Sequence, residues 1–67
     1  MYYIKERHNP QFDKPCYKAF GNTLTAKEAK RYEDSLYGYN IMLKFSSKKE
    51  YEKKIVELQE TGFSVAL

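Results

Sequence analysis

Hydrophobic positions along the chain switch between two periods, and the switches divide it into elements. In Ser47 to Phe63, SKKEYEKKIVELQETGF, residues Tyr51, Ile55 and Leu58 recur at i, i+4 and i+7 with lysine and glutamate between them. That spacing predicts a helix with one narrow buried stripe. Ser47 and Glu50 stand at capping-box spacing at its start, and Gly62 holds the place of a left-handed stop with Phe63 set to reach back to Leu58. An earlier stretch repeats the device. Thr25 and Glu28 form a second box, Ala29, Tyr32 and Leu36 form the stripe, and Gly38 gives the stop, which predicts a helix over Ala26 to Tyr37.

Elsewhere the period is two. Tyr2 to His8 alternates as a first strand, with Tyr2 and Ile4 on one face and Tyr3, Lys5 and Arg7 on the other. Asn9 to Pro15 reads as a loop punctuated by two prolines, with Phe12 pinned onto the domain. Cys16 to Phe20 is a second strand, antiparallel to the first, with Tyr17 and Ala19 inward and Cys16, Lys18 and Phe20 outward. Tyr39 to Phe45 is the most strand-like run, with Ile41, Leu43 and Phe45 on one side and Asn40, Met42 and Lys44 on the other, and its apolar content places it centrally in a sheet. Phe63, Val65 and Leu67 alternate against Ser64 and Ala66 as a short final strand.

The order is therefore ββαβαβ in a single α+β domain over residues 1–67, expected as a two-layer sandwich with a mixed four-stranded sheet and both helices packed on one face. The third strand, second helix and fourth strand make a βαβ unit, so those two strands should run parallel.

Size limits function. A chain of 67 residues buries only about 60% of its extended surface, which argues against a deep catalytic cavity. Cys16 is the single cysteine, so it has no partner for an intramolecular disulfide and no second thiol for a metal. There is no apolar run of about 18 residues and the charged start is unlike a signal peptide, so a cytoplasmic protein that does not cross a membrane is expected. A net charge of +3 permits an anionic partner without requiring one.

Candidate chemistry is sparse. His8 and Cys16 bracket the same loop, but thiolate activation needs them within hydrogen-bond reach and needs a third group to orient the imidazole. Glu50, Glu52, Glu57 and Glu60 intermix with lysines as a solvated helix face. Metal-ligand spacing, a glycine-rich phosphate loop and a nucleophile elbow are absent, so no enzyme, cofactor or metal is expected.

Two surface features stand out. Both helices begin with bases, against the preference of the helix dipole, which makes Lys27, Lys30, Lys48 and Lys49 candidates for holding an anion at the helix starts. The sheet face turned away from the helices presents Tyr3, Lys5, Arg7, Lys18, Phe20, Met42 and Lys44. Aromatics and methionine among cations suit a protein partner; the same set suits stacked bases and phosphates.

In its general look the chain, with YYIKERHNPQ at the start, LTAKEAKRYEDSLYGYN in the middle and SSKKEYEKKIVELQETGF near the end, resembles the very small one-domain proteins of bacteriophages and other mobile elements. That resemblance implies a stoichiometric binder of a host or defence protein and transfers no site residue. The chain's net positive charge departs from the acidic, DNA-mimicking kind of inhibitor. The sequence thus points to a non-enzymatic protein-binding module, an inhibitor or adaptor. Its alternatives are a weak single-stranded nucleic-acid binder on the open face and a small homodimeric structural protein.

Overall fold

A computed structural model describes residues 1–8, 13–34 and 40–67. Its elements are β1 (Tyr2–Arg7), β2 (Cys16–Gly21), α1 (Ala26–Glu33), β3 (Asn40–Phe45), α2 (Lys48–Glu60) and β4 (Ser64–Ala66), in the expected ββαβαβ order. The strands form one mixed sheet ordered β3-β1-β2-β4. β1 runs antiparallel to both β2 and β3, whereas β2 and β4 run parallel. β3 and β4 therefore share a direction, as the βαβ unit requires, but stand at opposite edges of the sheet.

β1 is the central strand, and its adjacent residues Tyr3 and Ile4 are 4% and 0% exposed. Neighbouring strand residues point to opposite faces, so burial of both means that the sheet is covered on both sides. Tyr3, Met42 and Ala29 form one core, joined by Phe20, Leu24 and Tyr32. Ile4, Tyr17 and Leu58 form the other, with the α2 stripe residues Tyr51 and Ile55 packed against it. Full burial of Ile4 alone contributes about 1.5–3 kcal/mol.

The helices thus lie on opposite faces, which corrects the expectation of one shared face. The connection from β2 to β3 must pass β1, and the connection from β3 to β4 must pass both β1 and β2. Crossing on different faces removes their competition for the surface above β1. β3 is also an edge strand, not a central one. Its apolar run reflects burial from both faces, Met42 on one side and Leu43 and Phe45 on the other, and not pairing on both edges.

Local signals act largely as the residue types demand. In α1 both halves of the capping box form: Glu28 N–H donates to Thr25 Oγ1 and Thr25 N–H donates to Glu28 Oε1. The Thr25 backbone N–H, followed by its hydroxyl, holds the Glu28 carboxyl below its usual value. α2 shows the Ser47 half of its box, with Glu50 N–H donating to Ser47 Oγ at 3.4 Å. α2 stops as a Schellman motif, with Gly62 at φ 91°, Gly62 N–H donating to Gln59 and Phe63 N–H donating to Leu58. The expected extension of α1 through Leu36 to Gly38 lies outside the described residues, as does the pinning of Phe12. At the other end of β2 the register slips by one residue beside Tyr3. Gly21 takes φ 61° there and donates its N–H to the Tyr51 hydroxyl at 3.0 Å, tying the bulge to α2.

Candidate partner-binding surface

Among the described residues α1 is eight residues long and lies along β3, so these residues cover only part of its face. Asn40 Nδ2 donates to the Tyr32 carbonyl at 3.2 Å and holds the helix end to the strand. Tyr3 and Met42, expected on an open surface, are buried beneath Ala29 and leave the candidate set. Both are large and apolar enough to be worth covering, and alternation along a strand says which face a residue takes without saying whether a helix lies over it.

What remains uncovered follows from register. Lys5 stands directly opposite Lys18 and Arg7 opposite Cys16, while β4 places Ala66 beside Lys18 and Ser64 beside Cys16. Arg7, Cys16, Lys18, Ser64 and Ala66 are exposed and Lys5 is half-buried. Three cations therefore share a quadrant floored by small side chains. Its border is the half-buried pair Phe20 and Tyr32, whose ring centroids are 5.2 Å apart. Lys5 Nζ lies 5.1 Å from the centroid of the Tyr32 ring and Lys18 Nζ lies 5.3 Å from that of Phe20. Such cation–π contacts contribute about 0.5–1 kcal/mol each at an exposed site.

All nine acidic residues are among those described, and none pairs with Lys5, Arg7 or Lys18. Partial burial, with added repulsion from Arg7 and Lys18, holds the Lys5 ammonium below its ordinary pKa. Lys44, the remaining cation of the expected face, is drawn away toward Glu33 at 3.9 Å.

The helix-start lysines are not brought together. Lys27 and Lys30 belong to α1 and Lys48 and Lys49 to α2, on opposite faces of the sheet. Lys30 pairs with Asp34 at 3.2 Å and Lys48 with Glu52 at 3.9 Å, and the third helical N–H of each start is already used by Thr25 or Ser47. His8 and Cys16 are also held apart. His8 Nε2 lies 3.2 Å from Glu6 Oε2, and Glu6 in turn accepts from the Tyr17 hydroxyl, on the α2 face. Cys16 alternates with Tyr17 and so faces the α1 side. Burial, reinforced by the bond to Glu6, pushes the Tyr17 hydroxyl up to about 12. Among the described residues, no group of three or more His, Cys, Asp and Glu is placed to hold a metal ion, and no helix is long and apolar enough to cross a membrane.

Tyr32 is not expected at the surface, because helical spacing assigns it to a core stripe. Its ring borders the cation cluster only because α1 lies on that face.

The fold is a small α+β domain with a mixed sheet cored on both sides. No protein-family model matches the chain, and neither a curated protein nor a solved structure does.

Proposed function

We propose that the protein is a non-enzymatic protein-binding module, acting as an inhibitor or adaptor, and that Lys5, Arg7 and Lys18 form its contact surface. The observation that carries this reading is the placement of Lys5 opposite Lys18 with Arg7 beside them and no acid within reach. Like charges directly opposite on neighbouring strands are destabilising, by an amount comparable to the roughly 0.2–1 kcal/mol that an opposite-charge pair contributes. Lys30, Lys44, Lys48 and Lys54 have acidic partners, and the other cations without one, Lys14, Lys27, Arg31, Lys49 and Lys53, do not stand opposite a like charge in the sheet register. An uncompensated cluster on neighbouring strands, with Arg7 and Lys18 exposed, is what a surface completed by another molecule requires.

The test is capture of interacting proteins from the native cell by the wild type, by Arg7→Glu with Lys18→Glu, and by Lys48→Glu with Lys49→Glu. Both double variants change charge equally at exposed positions, and circular dichroism checks that each folds. The expected result is a protein retained by the wild type and the helix variant and lost by the sheet variant. A partner list unchanged by the sheet variant moves the contact surface elsewhere, and capture of no specific protein by the wild type removes the module reading.

A further inference from the structure

Resting on the reading of the protein as a binding module, we infer that the cationic quadrant takes carboxylates, and that its partner is an acidic, extended segment of another protein and not a polynucleotide. Proteins that hold single strands without sequence preference need exposed aromatic faces on which bases stack, beside a cationic groove that follows the phosphates. Here neither part is present among the described residues. The Phe20 and Tyr32 rings are half-buried and packed on each other, and the ammonium groups of Lys5 and Lys18 lie over them. A base seeking either ring must first displace a lysine.

The cation track is also short. Along the face it ends at Lys44, which is turned to the Glu33 carboxylate, and across the sheet it ends at Cys16, Ser64 and Ala66, which carry no charge. What it offers is a compact triangle. Lys5 and Lys18 are cross-strand partners, and Arg7 is two residues along β1 from Lys5. Side chains directly across strands sit about 5 Å apart at Cβ, and alternate residues on a strand about 7 Å apart. An extended chain with Asp or Glu at alternate positions has the same repeat of about 7 Å, so two successive carboxylates meet Arg7 and the Lys5–Lys18 pair together. Arg7 can take one carboxylate through two parallel N–H donors, while the lysines act as point charges for the next. The small side chains of Cys16, Ser64 and Ala66 leave room for the segment's backbone to lie close to the sheet.

Fluorescence anisotropy compares a labelled peptide of about eight residues, with glutamate at alternate positions, against a labelled oligothymidylate of about eight nucleotides, at salt of about 20 mM and about 150 mM. The wild type is expected to bind the peptide more tightly than the oligonucleotide at both salts. Arg7→Glu with Lys18→Glu should weaken peptide binding about tenfold or more, and Lys48→Glu with Lys49→Glu should leave it within about twofold. Tighter binding of the oligonucleotide, no binding of the peptide, or an equal loss in both double variants overturns the inference. If cell-derived partner capture still depends on Arg7 and Lys18 while the peptide binds no better than the oligonucleotide, the binding module stands and the carboxylate inference alone falls. If capture is indifferent to Arg7 and Lys18 as well, both fall.

Discussion

The two faces of the sheet solve the same packing problem to different degrees. On one, the 13-residue α2 lies across the sheet, and its stripe, the T-shaped Tyr17–Phe63 pair and the Tyr2–Tyr51 pair fill the contact. On the other, the eight-residue α1 buries Tyr3 and Met42 beneath Ala29, while Arg7, Cys16, Lys18, Ser64 and Ala66 stay exposed. Burial of apolar area is the dominant stabilising term in a chain this small, so stability rests mainly on the α2 face. The α1 face, with less to lose, carries cations that the core does not require. The difference suggests a division of labour in which one helix secures the fold while, among the described residues, part of the sheet face that the other helix packs on stays exposed.

The largest expected effect lies in the α2-side core. Ile4→Ala should cost about 2–5 kcal/mol, the range for truncating a buried isoleucine, and in a domain of this size that leaves much of the population unfolded in urea titration at room temperature. A loss comparable to that of an exposed residue contradicts the placement of the main core. Next is Tyr17→Phe, which removes a hydroxyl bonded to the Glu6 carboxylate and should cost about 1.5–3 kcal/mol. Its pH signature is more specific than its size. Because the folded hydroxyl is pushed up to about 12 while an unfolded tyrosine titrates near 10, its contribution is complete below pH 10 and drains away as pH rises through 12. Urea midpoints measured from pH 8 upward should fall more steeply for the wild type than for Tyr17→Phe; parallel slopes exclude this hydroxyl as a source of the decline.

Ala29→Leu tests the α1 side. The residue is 2% exposed against Tyr3 and Met42, and overpacking there should cost about 1–3 kcal/mol. Because the cation quadrant lies beyond the helix, binding by the folded fraction should survive in this variant. A variant as stable as the wild type shows that α1 does not press on the sheet at Ala29.

Much of this architecture is legible in the residues themselves. Alternation in YYIKER and NIMLKF assigns each side chain to the face it takes, and the Ser47 and Thr25 caps and the Gly62 stop fall where their chemistry requires. Less legible is which faces are covered. Tyr3 and Met42 are amphipathic or adaptable residues that suit a core and a recognition surface equally, and the choice was made by a helix connection passing β1. Strand order is non-local in the same way, because β1 pairs with both β2 and β3 and no short-range signal announces a central strand. The site is legible in part: alternation puts Lys5, Arg7, Lys18 and Phe20 on one face, but the juxtaposition of Lys5 with Lys18 depends on hairpin register. Seven residues separate His8 from Cys16 in the sequence, too many for a two-residue turn to fix that register. Tyr32 entered the site through tertiary packing alone.

The smallest expected change bears most directly on the central claim, that the cation cluster is carried at a cost to the fold for the sake of a partner. It is the urea midpoint of Lys18→Glu against the wild type at neutral pH and low salt. Removing the repulsion between Lys5 and Lys18 and adding an attraction across β1 and β2 should outweigh the lost Lys18–Phe20 cation–π contact, so the domain should be as stable as the wild type or more stable by up to about 1 kcal/mol, and any gain should shrink as salt screens it. A midpoint that falls below that of the wild type contradicts the account, because Lys18 would then be serving the fold itself.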